Sequence, residues 1–331
     1  MSGTSRPRVL LVYPLLDEEG EKILAAGAEI IRPASDREAD IAAVIGEADA
    51  VALRGPAKLT AALIAQAPRL RAIATMGSGT DSVDVPAATA RGIPVLNQAG
   101  GAPRPVAEWA LGCMVVMHRK MLVLHERLQK ENLDWVSRPT ALAGFELTGT
   151  TIGVVGLGHI GRHLARMAHA AFDARILAYD PFVDQAKMGD LAEKVGSLEE
   201  LCDRSETLAI HCPLLPSTRG LIRRSHLRLL GRNGVIVHAA RGGVVDEADL
   251  VAALHAGEIK GAAVDVFDPE PPSIEQARRL AAAPNLLITP HIAGCSDQSA
   301  RNLATGLARD VLHVLGGGKP RQLVNPEVLT E

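Results

Sequence analysis

Between residues 8 and 98 short apolar runs alternate with amphipathic stretches. RVLLVYPL, AEIIRP, DAVALRG, RAIATM and IPVLNQ read as strands; DEEGEKILAAGA, DREADIAAVIGE, TAALIAQAP and DVPAATARG, which separate them, read as helices. Strands that alternate with helices imply a parallel sheet covered by those helices. A second series of the same kind begins at TTIGVV, residues 150–155, and continues through ARILAYD, AEKV, ETLAIH, NGVIVHAA, GAAVDVF and NLLITP. Two α/β layers are therefore predicted. Between them, VAEWALGCMVVMHRKMLVLHERLQ within residues 105–133 reads as one long linking helix, with Pro105 at its start, where a missing N–H costs little. After the last apolar run a helix over Asp297–Leu315 and a GGGKP break are too little for a domain, so this tail is expected to pack on the N-terminal layer.

Composition narrows the class. The 331 residues carry 35 Lys+Arg against 38 Asp+Glu, a net charge of −3, which excludes a strongly basic nucleic-acid binder. Hydrophobic residues make up 47% and charged ones 22%, so a disordered or fibrous chain is excluded too. Only 2% is aromatic, so the core is expected to be built from Ala, Val, Leu and Ile, which suits buried parallel strands. Cys113, Cys202, Cys212 and Cys295 show neither metal-ligand nor redox spacing, and a reducing compartment is expected. The apolar runs Val9–Leu16 and Trp109–Met117 fall short of the roughly 20 residues of a membrane span. Asp17, Glu18 and Glu19 follow the first run with no small-residue cleavage site, so it reads as a strand and the protein as cytoplasmic.

Chemistry enters at Gly156-Leu157-Gly158-His159-Ile160-Gly161, between an apolar strand and a helical run. In such a turn the first glycine permits the bend and the second lets the backbone approach a pyrophosphate. The third allows close helix–strand packing, with the phosphates facing the helix N-terminus. Asp180, 19 residues past Gly161 at the end of the next strand, is the expected acceptor for a ribose diol. Its charge would repel a 2′-phosphate, and Pro181 and Phe182 follow it rather than an arginine, which favours NAD over NADP. Arg241, Glu270 and His291 each stand just after an apolar strand, where α/β folds build their sites. A guanidinium at such a position suits forked binding of a carboxylate.

The chain resembles the NAD-dependent D-isomer-specific 2-hydroxyacid dehydrogenases, a family that includes glyoxylate/hydroxypyruvate reductases and phosphoglycerate dehydrogenases. The motifs are TMGSGTDSVD (75–84), VAEWAL (106–111), LTGTTIGVVGLGHIGR (147–162), HCPLLPSTRGLI (211–222), AARGGVVDE (239–247), VDVFDPEPP (264–272) and PHIAG (290–294), in that order over almost the whole chain. The resemblance implies that Arg241 binds the substrate carboxylate and carbonyl, His291 is the general acid/base, and Glu270 hydrogen-bonds the imidazole. An acidic partner would stabilise the imidazolium that protonates the developing alkoxide as a hydride reaches C2 of a 2-keto acid. It further implies that Ser78 and Gly79 cradle the carboxylate and that His211, Pro213, Ala239 and Asp265 line the cofactor beside the glycine turn. Arg54 would help bind the acid, and Trp135 would reach a partner subunit's site or anchor the interface.

The architecture implied is two Rossmann/flavodoxin-like domains with the active site in the cleft between them. Residues 1–100 and 292–331 would form a discontinuous substrate-binding domain and residues 101–291 an NAD-binding domain, assembled as a homodimer. No nucleic-acid or membrane partner and no metal is expected. The chain departs from the family at Ala102, Arg104 and Pro105, where Asn and then Ser or Ala are frequent, and at His238-Ala239, where Asn-Thr or Asn-Ser is frequent. Those departures bear on substrate choice and on hydrogen bonding beside Arg241. Cys295, four residues past His291, reads as a packed small side chain or a modifiable thiol. Glu270 stands where formate-type dehydrogenases carry Gln, which disfavours that activity. Phosphoglycerate dehydrogenase and an NADH-responsive corepressor-like binding protein stay open as alternatives.

Overall fold

The computed structural model describes residues 6–98, 100–134, 136 and 139–329. The chain divides into two compact units, Met1–Ala102 with Cys295–Glu331, and Pro103–Gly294. The first is built on a five-stranded parallel sheet of β1 (Arg8–Leu11), β2 (Glu29–Ile31), β3 (Ala50–Leu53), β4 (Ala72–Thr75) and β5 (Val95–Leu96), in the order β2-β1-β3-β4-β5. Alternation along the strands sorts its side chains by size. Val51, Leu53 and Ile73 face Ile41, Ile45, Leu63 and Ile64. Ala50, Ala52, Ala72 and Ala74 face Leu307, Ala308 and Val311 of the helix Asp297–Leu315. Small residues let that helix lie close on the sheet, so a core almost without aromatics still packs densely. The tail helix thus completes the N-terminal layer, as its isolation in the sequence predicts.

The second unit carries a seven-stranded parallel sheet. Its strands are β6 (Thr151–Val155), β7 (Arg175–Tyr179), β8 (Glu193–Lys194), β9 (Thr207–Ile210), β10 (Val235–His238), β11 (Gly261–Val264) and β12 (Leu286–Ile288). They run in the order β12-β11-β10-β9-β6-β7-β8, so the direction of winding reverses between β6 and β9. In open α/β sheets ligands bind at the carboxyl end of the strands beside such a reversal. Core residues fill both faces, Leu208, Ile210 and Ile236 on one and Ala209, Val235 and Val237 on the other, which is why these strands are apolar without alternation. Among the described residues no helix is long and apolar enough to cross a membrane.

The single linking helix expected over residues 105–133 is two helices, Pro103–His118 and Met121–Lys130. Lys120 adopts the left-handed conformation, φ 54°, between them. The His118 carbonyl accepts the Phe145 N–H at 2.9 Å instead of continuing the helix. The His118 ring is buried and holds Thr207 Oγ1 at 2.7 Å from Nε2, fixing the first helix to the start of β9. Periodicity reports apolar spacing, which continues in the sequence through Leu122 and Leu124 although no residue of the second helix is buried.

Candidate active site

The glycine turn sits at the carboxyl end of β6, at the winding reversal. Gly156 has φ 91°, and a Cβ on Gly161 would stand 2.4 Å from the Gly156 carbonyl oxygen, so neither position admits a side chain. A Cβ on Gly158 would meet nothing within 4 Å, leaving that stretch of backbone open. The helix that follows, His159–Phe172, has no side-chain cap at its N-terminus, and uncapped N–H groups with the helix dipole form an anion site. Asp180 is tied to the turn: Oδ2 accepts from the Leu157 N–H at 2.9 Å and Oδ1 from the Phe182 N–H at 2.9 Å.

Further along the same edge, the loop after β12 carries His291 and the loop after β11 carries Glu270. His291 Nδ1 pairs with Glu270 Oε1. That contact leaves Nε2 as the ring atom facing outward chemistry, on a side chain that is 44% exposed. His291 has φ 55°, a left-handed conformation costly for a non-glycine residue. Asp265 enforces it. Its carboxylate, on a residue 1% exposed, accepts the Ile292 N–H at 2.9 Å, the Ala293 N–H at 2.8 Å and the Thr289 hydroxyl, while its carbonyl accepts the His291 N–H at 2.8 Å. Burial pushes the Asp265 carboxyl above its ordinary range, and the Thr289 and backbone donors pull it back. Thr289, which sequence reasoning passed over, is legible only as a hydroxyl beside the histidine loop.

Arg241 lies on the loop after β10, half-buried, with Nη1 donating to the Ala240 carbonyl at 2.7 Å. His238 ends β10, and His211 follows β9 on the neighbouring strand. Neither imidazole has a hydrogen-bond partner at its ring nitrogens among the described residues, and those nitrogens are shut off from solvent. Burial pushes His211 down to about 4 and His238 to about 3; beside His238, the Arg241 backbone opposes the shift and the His211 ring adds to it. Both rings are neutral at neutral pH. Pro213 is exposed and Ala239 buried on the loops that leave the same two strands.

Of the other expected residues, Arg54, Ser78 and Gly79 belong to the first unit, after the carboxyl ends of β3 and β4. Arg54 Nε donates to the Pro14 carbonyl at 2.8 Å and its guanidinium lies 5.6 Å from the Tyr13 ring centroid. The Ser78 carbonyl accepts from Asn97 Nδ2 at 3.0 Å. Arg104 pairs with Glu108 at 2.9 Å on its own helix, and Cys295 is exposed. Trp135 lies outside the described residues. Among the described residues no group of acidic, His or Cys side chains could hold a metal.

Comparison with known proteins places this geometry. Residues 111–293 match the model of the D-isomer specific 2-hydroxyacid dehydrogenase, NAD binding domain. The hydroxypyruvate reductase of Thermotoga maritima is 34% identical over 94% of this chain and 99% of its own length. The D-3-phosphoglycerate dehydrogenase of Methanocaldococcus jannaschii is 33% identical over 96% of this chain, which spans only 59% of that relative's length. A crystal structure of an NADPH-dependent glyoxylate/hydroxypyruvate reductase from Sinorhizobium meliloti, in complex with NADP and malonate, superposes with a TM-score of 0.84 at 29% identity, covering 98% of both chains. The features above fit a dinucleotide: a bare glycine turn, an uncapped helix N-terminus and a carboxylate at the end of the adjacent strand.

Proposed function

Because the chain belongs to the family of D-isomer specific 2-hydroxyacid dehydrogenases, we propose that it interconverts a 2-keto acid and the D-2-hydroxy acid with NAD(H) as cofactor. The observation that carries this reading is the His291–Glu270 pair at the edge of the sheet that bears the glycine turn. The nicotinamide supplies a hydride to, or takes one from, substrate C2 when bound. His291 Nε2 gives the proton to the substrate oxygen in reduction and removes it in oxidation. Glu270 holds the imidazole through Nδ1 and offsets its positive charge. Arg241 binds the substrate carboxylate with its planar fork of donors. Gly156, Gly158, His159, Ile160 and Gly161 present backbone to the pyrophosphate, and Asp180 accepts from the adenosine ribose and disfavours a 2′-phosphate. His211, Pro213, Ala239 and Asp265 lie along the same edge, towards the nicotinamide end of the site.

Arg54, Ser78 and Gly79 of the other unit bind the acid. The active form is a homodimer. A short acid of the hydroxypyruvate or glyoxylate kind is the substrate class, a reading supported by the match to a hydroxypyruvate reductase along nearly its whole length. The test is NADH oxidation at 340 nm against glyoxylate, hydroxypyruvate, pyruvate, phenylpyruvate and 3-phosphohydroxypyruvate, repeated with NADPH. A preference for hydroxypyruvate or glyoxylate with NADH supports the reading. Preference for the phosphorylated acid moves the assignment to phosphoglycerate dehydrogenase, and preference for NADPH removes the role given to Asp180. Inertness with every acid while NADH still binds leaves the corepressor-like alternative.

A further inference from the structure

The loops that carry Arg241 and Glu270 meet at residues 267 and 268. At Gly242 the first loop presses on the second: a Cβ there would stand 1.7 Å from the Phe267 carbonyl oxygen. The adjoining residue, Asp268, is held on both sides. Its N–H donates to Glu247 Oε1 at 3.0 Å, and its carbonyl accepts from Gln276 Nε2 at 3.0 Å. The same Gln276 nitrogen donates to Glu247 Oε2 at 2.8 Å, closing a ring of three hydrogen bonds. Arg279 adds a guanidinium 3.8 Å from Glu247 Oε2, and Arg219 Nη1 donates to Asp268 Oδ2 at 2.6 Å. Glu247 opens the helix Glu247–His255, and Gln276, 8% exposed, lies in the first turn of the helix Ile274–Ala281. Two helices therefore clamp one residue through the peptide groups on both its sides, two residues before Glu270.

We propose that Glu247, acting with Gln276, is a positioning residue that sets Glu270 against His291 and keeps the Arg241 loop in register with them. The proposal rests on the roles assigned to Arg241, Glu270 and His291 above. A carboxylate is needed at 247 because every hydrogen bond made to it comes from a donor. A carboxamide there would turn its NH2 either on the Asp268 N–H or on the Gln276 NH2, and one bond of the ring is lost. The glycine turn and Asp180 take no part in the ring, so cofactor affinity is insulated from its loss.

The experiment compares wild type, Glu247→Gln and Glu247→Asp. Turnover of the best keto acid, NADH affinity by fluorescence and melting temperature are measured for each. For Glu247→Gln we expect kcat to fall roughly ten- to a hundredfold, the scale of a displaced catalytic group, with NADH affinity held within about twofold. Glu247→Asp keeps a carboxylate whose oxygens only accept, and retains part of the kcat that Glu247→Gln loses. Unchanged kcat, a parallel fall of kcat and NADH affinity, or Glu247→Asp no better than Glu247→Gln each overturn the proposal. If wild type reduces no acid, the functional reading fails separately. The clamp is then judged by the low-field Nδ1 proton resonance of His291, assigned by its loss in His291→Asn: displaced in Glu247→Gln supports the clamp, unmoved overturns it.

Discussion

The two units differ in whether buried polar groups are left unmet. In the unit that holds the five-stranded sheet, Asn325 is 2% exposed and fully used: Oδ1 accepts the Val95 N–H at 2.8 Å, and Nδ2 donates to the Ile93 carbonyl and Thr89 Oγ1, each at 2.9 Å. Asp49 is equally saturated, by the Arg8 N–H at 2.7 Å and by Arg69 at 3.1 Å. In the unit that holds the seven-stranded sheet, the ring nitrogens of His211 and His238, His118 Nδ1 and Asn285 Oδ1 have no hydrogen-bond partner among the described residues. Left-handed backbone at His291 belongs to the same unit. Saturated polar groups lower the energy of the fold, whereas unmet ones raise it by about 1–3 kcal/mol each and persist where a ligand or a water can meet them. The contrast marks the second unit as the workplace of proton transfer and the first as scaffold apart from its proposed acid-binding residues.

The sharpest way to separate workplace from scaffold is His291→Ala, for which turnover is expected to fall about 10²–10⁴-fold with melting temperature and NADH affinity nearly unchanged. Parallel loss of NADH binding would move His291 from proton transfer to cofactor binding. Acid should then divide the units. His118 and His211, held near 4, and His238, held near 3, lie below the value near 6.5 expected of an unfolded chain. The unfolded state therefore binds the extra protons. Stability is intact above about pH 6.5 and lost as pH falls, by roughly 3 kcal/mol per histidine at pH 4. Urea unfolding from pH 7 to 4 with hydrogen exchange should show the seven-stranded unit opening first, and simultaneous opening would break the contrast.

A smaller effect is expected from Asn325→Ala, which orphans the Val95 N–H and the Ile93 carbonyl and should cost about 2–3 kcal/mol in chemical denaturation, with specific activity of the folded enzyme kept. Smallest of all is His238→Leu. Replacing an unpartnered ring by an apolar side chain of similar size should leave stability unchanged or raise it by about 1 kcal/mol. A loss beyond about 2 kcal/mol would show that ordered water already satisfies the ring, and His238 would join the scaffold.

How much of this was legible in the sequence follows the range of the interactions involved. Strands β6 and β10 and the glycine turn are local patterns, a run of apolar residues or three glycines at fixed spacing, and the sequence displays them directly. The parallel layers and the tail helix on the N-terminal sheet follow from those patterns by simple topological rules. The break at Lys120 was hidden because its cause is distant: the Phe145 N–H captures the His118 carbonyl while apolar spacing continues. His291 and Glu270 could be singled out as loop residues after strands, yet their contact is a tertiary fact. Gln276 carries no signal at all in the sequence. It is an ordinary polar residue in the first turn of a helix until Glu247 and Asp268 are brought to it from 29 and 8 residues away.

The helix Asp297–Leu315 has a consequence for how the chain acquires its structure. Leu307, Ala308 and Val311 are part of the core formed with Val9, Leu11 and Ala52, so the first unit has an incomplete apolar core until residues beyond the entire second unit have been synthesised. The second unit is continuous from Pro103 to Gly294 and meets no such delay. On the ribosome the order of assembly should therefore run opposite to the order of these segments: the inserted unit closes first, while Val9–Ala52 wait with an uncovered alanine face for the helix Asp297–Leu315. Pulse proteolysis of stalled nascent chains should find the segment around Val9–Ala52 cleavable in chains ending near residue 294 and protected once Leu315 has emerged.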